Sequence, residues 1–394
     1  MGSGGPKPRC PGRTAVISKD ERIFVMPKRI LSLLKGDAVL AASLCLALFS
    51  CFLVPPSPRY VEYLDFNTLI LLFCLMLIIE GLRQEDFLQM IGNRILGRVS
   101  TTRGVALTLV FLCFFSSMFI TNDVSLITFV PFGILVLNMA GLTERICYTV
   151  TLMTIAANLG SMFTPMGNPQ NLYLFSLSGL SIPQFLLLTG PYVLAAGILL
   201  LLFVFPAFRK EGVSPRLAPA DGLKKGAVCF YLILFVCCLL TVAGLVPHAL
   251  LLAAVSVAVA VKNRKLFLHV DYSLLLTFVF FFIFVGNLRR AEGLHSLISS
   301  LVLGRERLLG VLMSQAISNV PAAMLLSGYT DRVQELIVGT NLGGLGTLIA
   351  SMASLISYKQ IAGGFPEQKR DYFKIFTGCN LVFLALLCLL SLFL

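Results

Sequence analysis

The chain has no tryptophan and only three histidines, and just 13% of its 394 residues are charged. A soluble domain carries nearer a quarter charged residues, so that class is excluded. Without Trp, an interfacial aromatic belt falls to tyrosines such as Tyr60, Tyr63, Tyr148, Tyr173, Tyr272 and Tyr372. His248, His269 and His295 fall at expected span ends or loops, so no histidine-based metal site is indicated. There is no GxxxxGK[ST] segment, which argues against a self-contained ATP-driven pump. No serine has a histidine partner at mid-depth, which argues against a Ser–His hydrolase. The 11 cysteines lack metal spacing, and Cys237 and Cys238 are adjacent. Buried cysteine acting as a small apolar residue accounts for them.

What the chain does have is hydrophobic length. It is 57% hydrophobic, and the runs 36–54, 66–81, 186–208, 228–245 and 373–394 approach or reach the roughly 20 residues that cross a bilayer. The reading is an all-α polytopic membrane protein of about nine full spans. The net charge of +12 is then a matter of topology rather than nucleic-acid binding. With the N-terminus inside, only Arg59, Arg289, Arg290, Arg305, Arg307 and Arg332 of the 31 Lys and Arg fall outside. That excess of inside positive charge puts the C-terminus outside. The basic tail 1–35 lacks a signal-peptide pattern and serves as an orientation signal touching anionic lipid.

Several apolar stretches are interrupted. The segment 104–138 breaks at Thr121-Asn122-Asp123, leaving arms of about 15 residues, short for a crossing at about 1.5 Å per residue. It reads as a re-entrant hairpin, tolerable at mid-depth only where it is buried or lines a cavity. The segment 144–176 breaks at 158–171, which holds Asn158, Gly160, Thr164, Pro165, Gly167, Asn168 and Pro169. The pattern recurs: a hairpin at 308–327 with Ser318-Asn319 at its tip, then 334–357 broken around Asn341, Gly343, Gly344 and Thr347. Each half runs from an Asp-started span (Asp65, Asp271) through a polar stretch (83–103, 289–307), a hairpin and a broken helix to a final span. The expected division is tail 1–35, first repeat 36–208, cytoplasmic linker 209–225 and second repeat 226–394. The charge count makes the repeats inverted, the sequence sign of a transporter site near the midplane.

Chemically, Asp123 is the one carboxylate this reading places deep in the membrane. Glu80 falls near a span end. A deep ionisable group is by default functional, and Asp123 can hold H⁺ or Na⁺. Its structural alternative is capping its own arm at 124–126. Asn122 and Asn319 offer both donors and acceptors, to an anion, to a cation or to the opposing break. The glycines permit close approach or unusual dihedrals, although Gly343-Gly344 also suits plain helix contact. Half-helix N-termini present N–H groups to an anion, and freed carbonyls suit a cation. Thr164 and Thr347 add hydroxyls. A Na⁺ site at Asn122, Asp123 and Asn158 is the one metal expected, with no other cofactor.

The segment Thr121-Asn122-Asp123-Val124-Ser125-Leu126-Ile127-Thr128-Phe129-Val130-Pro131 resembles the first-hairpin signature of the ion transporter superfamily. Its closest likeness is to the arsenite-pump, sodium/proton-antiporter and citrate-transporter-like branch, related to the divalent anion–sodium symporters. Thr164-Pro165-Met166-Gly167-Asn168-Pro169-Gln170-Asn171 is similar to that branch's TPxGNPxN segment, and Ser318-Asn319-Val320-Pro321-Ala322 to its second hairpin. The likeness covers about 36–394. It implies inverted repeats, a scaffold with a mobile transport domain, and elevator-type secondary transport of a small anion or oxyanion coupled to H⁺ or Na⁺. The dicarboxylate/sodium branch has Ser-Asn-Thr at both tips. Asp123 and Val320 depart from that, and Val320 lacks a side-chain oxygen, which counts against dicarboxylate binding and against two symmetric sodium sites. Partners are then the anion, the bilayer and a second copy in a homodimer, in the cell membrane. The competing readings are a Na⁺/H⁺ antiporter, an ion channel and a membrane-embedded enzyme.

Overall fold

The computed structural model describes residues 38–213, 225–290 and 292–394. The expected tail 1–35 and residues 214–224 of the expected linker lie outside them. Among the described residues there are helices and no strands, apart from one isolated antiparallel bridge between Thr101 and Gly212.

The first half holds α1 (Ala38–Ser50), α2 (Phe66–Gln84), α3 (Phe87–Leu96), α4 (Thr102–Ser116), α5 (Asn122–Met139), α6 (Ile146–Ser161), α7 (Pro169–Ser178) and α8 (Ile182–Ala207). The second holds α9 (Lys225–Val242), α10 (His248–Asn263), α11 (Tyr272–Arg290), α12 (Glu292–Val302), α13 (Glu306–Ile317), α14 (Asn319–Ser327), α15 (Val333–Gly343), α16 (Met352–Gly364) and α17 (Lys369–Leu390). Six are long and apolar enough to cross a membrane: α2, α5, α8, α9, α11, and α17 with the turn before it. Helices α8 and α17 leave large apolar side chains bare, among them Leu187, Leu194, Leu202 and Leu389. A soluble surface rarely shows such patches, whereas acyl chains cover them. The protein is an all-α polytopic membrane protein.

Local chemistry sets the helix starts. Asp65 accepts the Thr68 N–H (3.2 Å) and Asp271 the Leu274 N–H (3.1 Å), which begins the two 19-residue helices α2 and α11 in the same way. Thr101 accepts the Gly104 N–H ahead of α4. Asn168 accepts the Asn171 N–H ahead of α7, whose first residue is Pro169, where a missing N–H costs nothing.

The halves pack by exchange. Helix α4 lies on α6 as α13 lies on α15, α5 meets α16 as α14 meets α7, and α17 meets α6 as α15 meets α8. On the flank, α1 lies on α11, while α9 and α10 lie on α2. Helices α2 and α11 run antiparallel. Glu80 and Arg83 at the end of α2 share a cavity with Asp271 and Leu274 at the start of α11. Asn287, late in α11, donates to Tyr60 Oη (2.8 Å), just before α2. This pair of equivalent helices thus runs in opposite directions, as inverted halves require.

Candidate functional site

Four helix starts converge on the polar centre: α5, α7, α14 and α16. Their preceding breaks differ from the expected ones in extent. Helix α6 continues through Asn158 and Gly160 to Ser161, and α15 continues through Asn341 to Gly343. The unwound segments are therefore 162–168 and 344–351. An asparagine can stay helical in an apolar span when its side chain is bonded across to another element, and both of these are.

The two hairpin tips are built alike. Asn122 N–H donates to Gly167 O (3.1 Å) and Asn319 N–H to Ala350 O (3.0 Å), so each tip is pinned to the unwound segment of its own half. The Asn122 side-chain oxygen accepts Asp123 N–H (3.0 Å), and the Asn319 side-chain oxygen accepts Val320 N–H (3.0 Å). Ser318 reaches its place at φ 74°, ψ 155°, backbone that favours glycine.

The asparagine amides differ. Asn122 Nδ2 donates to Asn158 Oδ1 (3.0 Å), which also accepts Ser351 Oγ (3.1 Å), while Asn158 Nδ2 reaches Gly344 O (3.4 Å). Asn158 therefore joins the first tip to the second break. Asn319 Nδ2 has no acceptor among the described residues; it sits 3.0 Å from where a Cβ on Gly344 would be. A second cluster crosses the halves: Asn168 Nδ2 donates to Asn341 Oδ1 (3.1 Å) and Ser161 Oγ (3.2 Å), and Asn341 Nδ2 to Asn171 Oδ1. All these asparagines are buried.

The threonines hold backbone. Thr121 Oγ1 accepts Val124 N–H, Thr164 Oγ1 donates to Met118 O, and the exposed Thr347 donates to Gln315 O (3.2 Å). Gln315, absent from the sequence reading, clamps the second break. Its amide donates to Gly343 O and Leu345 O (both 2.8 Å), and its oxygen accepts Thr347 N–H (2.9 Å). Gly160 and Gly343 permit close helix approach: a Cβ on Gly160 would stand 2.1 Å from Phe114 O, and one on Gly343 2.6 Å from Ser314 Oγ.

Asp123 lies in the first turn of α5, half-buried, and its carboxylate accepts no hydrogen bond from any described residue. The capping alternative fails, because Thr121 and Asn122 serve the arm instead. Asp123 lines a cavity of about 210 Å³ with Thr121, Asn168, Glu80, Arg83 and Asp271. Asp123 thus shares its cavity with half-buried Glu80 and exposed Asp271. Asp271, read from sequence only as the start of a span, reaches the same cavity because α11 begins beside the end of α2. Glu306 is buried, at 2% exposure, and accepts Thr330 Oγ1 (3.0 Å). Among the described residues no cluster of His, Cys, Asp and Glu has the make-up of a metal centre.

The second arm of the first hairpin, α5, has 18 residues rather than the expected 15 or so and is long enough to cross a membrane. Two helical hairpins, each with its tip pinned to an unwound segment of its own half, are a transporter's arrangement, and comparison with known proteins agrees. The family model described as citrate transporter matches residues 30–335. The chain belongs to the citrate transporter family. An uncharacterised transporter of Methanocaldococcus jannaschii is 34% identical over 298 residues, 75% of this chain and 81% of that protein. Inner membrane protein YbiR of Escherichia coli is 29% identical over 335 residues, 83% of this chain and 88% of its own. The family and these names indicate a transporter rather than an enzyme. As a member of the citrate transporter family, the chain carries the resemblance noted at the first hairpin through both halves up to residue 335.

Proposed function

We propose that the protein is a secondary active transporter of a small anion, a carboxylate or inorganic oxyanion, driven by H⁺ or Na⁺ bound at Asp123. One observation carries this reading. A carboxylate with no hydrogen-bond partner among the described residues faces a cavity at a hairpin tip where the Thr121 and Asn122 side chains are both engaged. A deep carboxylate is costly when charged, so a cation that neutralises it stabilises the loaded state. Helix starts at α7, α14 and α16 add positive dipole ends for the anion, and Asn319 Nδ2 and Gln170 Nε2 are amide donors without an acceptor among the described residues.

In this reading α4–α8 and α13–α17 move as a body against α1, α2 and α9–α11, in the cell membrane with the N-terminus inside and the C-terminus outside. A Na⁺ held by Asp123 would compete with Asp123 N–H for Asn122 Oδ1, and with Asn122 Nδ2 and Ser351 Oγ for Asn158 Oδ1, so H⁺ is the simpler occupant. Na⁺/H⁺ antiport is the second reading, favoured by three carboxylates (Glu80, Asp123, Asp271) lining one cavity. Proteoliposomes given citrate, sulfate and arsenite in turn, under an imposed pH or Na⁺ gradient, test both. Anion accumulation that follows one gradient supports symport. Cation exchange with no anion requirement supports the antiporter.

A further inference from the structure

The opposite end of the α2–α11 pair carries a second cavity, of about 450 Å³, which the transport reading does not use. Its lining includes Arg289, Arg290, Tyr63, Tyr173, Ser327 and Thr330. Arg289 closes α11 at the same remove from its capping aspartate as Arg83 closes α2. The two arginines differ in their surroundings. Arg83 is held by Glu80 in a two-pronged pair, Nε to Oε2 at 2.7 Å and Nη2 to Oε1 at 2.9 Å. In the second half the place of Glu80 is taken by Gly286. No carboxylate fits there, because the Tyr63 ring occupies the space; a Cβ on Gly286 would stand 2.4 Å from Tyr63 Cγ. Arg289 therefore has no ion pair among the described residues. Arg290 lies over the same Tyr63 ring at 5.2 Å, which steadies its guanidinium.

We infer that this cavity is an entrance site for a multivalent anion, a polycarboxylate or a tetrahedral oxyanion, held by the Arg289 fork with help from Arg290. A free guanidinium suits planar or tetrahedral oxygens. Ser327 and Thr330 line the cavity, but their hydroxyls already donate to Met324 O (3.0 Å) and to Glu306 (3.0 Å), so the arginines carry the recognition. Glu62 and Asp331 also line the cavity, but neither is within salt-bridge distance of Arg289 or Arg290. Their charge weakens the hold on any anion, and a station that must release its cargo inward needs weak holding. The ends of the α2–α11 pair are thus unlike: one sets three carboxylates beside the paired Arg83, the other sets Arg289 and Arg290, without ion pairs among the described residues, beside Glu62 and Asp331. The inference goes beyond the coupling role of Asp123 and does not depend on it.

The test is site-resolved arginine modification. Full-length protein in nanodiscs is treated with phenylglyoxal, and the rates at Arg289, Arg83 and the exposed control Arg94 are read by peptide mass spectrometry. Citrate and sulfate are the probes, compared with chloride at equal ionic strength. Arg289 should react faster than Arg83, and citrate or sulfate should slow it threefold or more while leaving Arg94 unchanged. Arg289→Gln, with Arg289→Lys as the charge-keeping control, should abolish the protection that the same anions give Arg290, and the lysine variant should restore part of it. Equal rates with either probe and with chloride would overturn the inference. So would equal protection of Arg289 and Arg94. Neither result bears on whether Asp123 couples transport.

Discussion

Asn158→Ala removes the residue that ties one hairpin tip to the opposite break. Its oxygen accepts Asn122 Nδ2 at 3.0 Å and Ser351 Oγ at 3.1 Å, and its amide reaches Gly344 O at 3.4 Å. Polar contacts between membrane helices average about 0.6 kcal/mol each, so three lost contacts amount to about 2 kcal/mol. That corresponds to roughly a 30-fold shift of the tip from docked toward undocked. Leaving the Asn122 amide and the Ser351 hydroxyl buried without a partner adds to this figure rather than reducing it. Hydrogen–deuterium exchange on protein in nanodiscs is the assay. Amides of peptides covering 117–126 and 344–352 should exchange about tenfold to 30-fold faster, and those of α8 should not change. Asn122→Ala alone should produce part of the effect. The Asn122→Ala/Asn158→Ala pair should fall short of the sum of the single variants. Unchanged exchange at both segments would refute the tip-to-break tie. Faster exchange everywhere would show general loosening instead.

Three further outcomes follow from the same geometry. Gly160→Ala brings a methyl to 2.1 Å from Phe114 O, backbone that cannot give way. It should destabilise the protein by about 1–3 kcal/mol, read as a fall in the thermal midpoint, whereas Gly378→Ala, in open space, should be silent. Gln315→Ala frees the second break while removing nothing from the cavity around Asp123. Limited proteolysis near 344–351 should speed up and transport should fall with expression intact; unchanged cleavage would contradict the clamp. Ser318→Gly removes the strain of a positive φ at a non-glycine residue, which costs of order 1–3 kcal/mol. It should raise the thermal midpoint, since the Ser318 Oγ contact to Ala350 O, at 3.5 Å, is the smaller effect; a lowered midpoint would contradict the strain.

The hairpins and broken helices were legible because Asn, Gly and Pro stand out inside apolar runs, where lipid gives them no use. Inverted halves were expected from the Lys and Arg count, and α2 and α11 do run antiparallel. Other features were hidden for physical reasons. Asn158 and Asn341 were assigned to unwound backbone, yet both are helical, because their bonds come from the other half of the chain, far off in sequence. Gln315 lies one turn before a tip and reads as an ordinary polar residue until the fold brings 343–347 against it. Asp271 has a local task as a helix cap, and that task concealed its place on the Asp123 cavity. The contrast between Arg83 and Arg289 was also on the page, in Glu80 against Gly286, but it means little without Tyr63 filling the gap.

Coupling through Asp123 is tested most directly in proteoliposomes that hold purified wild-type or Asp123→Asn protein. The substitution keeps size and hydrogen bonding but removes the charge that a cation would neutralise. With whichever of citrate, sulfate or arsenite the wild-type protein accumulates, the variant should still exchange labelled anion between the two sides. It should no longer concentrate that anion under an imposed pH or Na⁺ gradient. An Asp123→Asn protein that concentrates the anion with the ion dependence of the wild type would contradict the account.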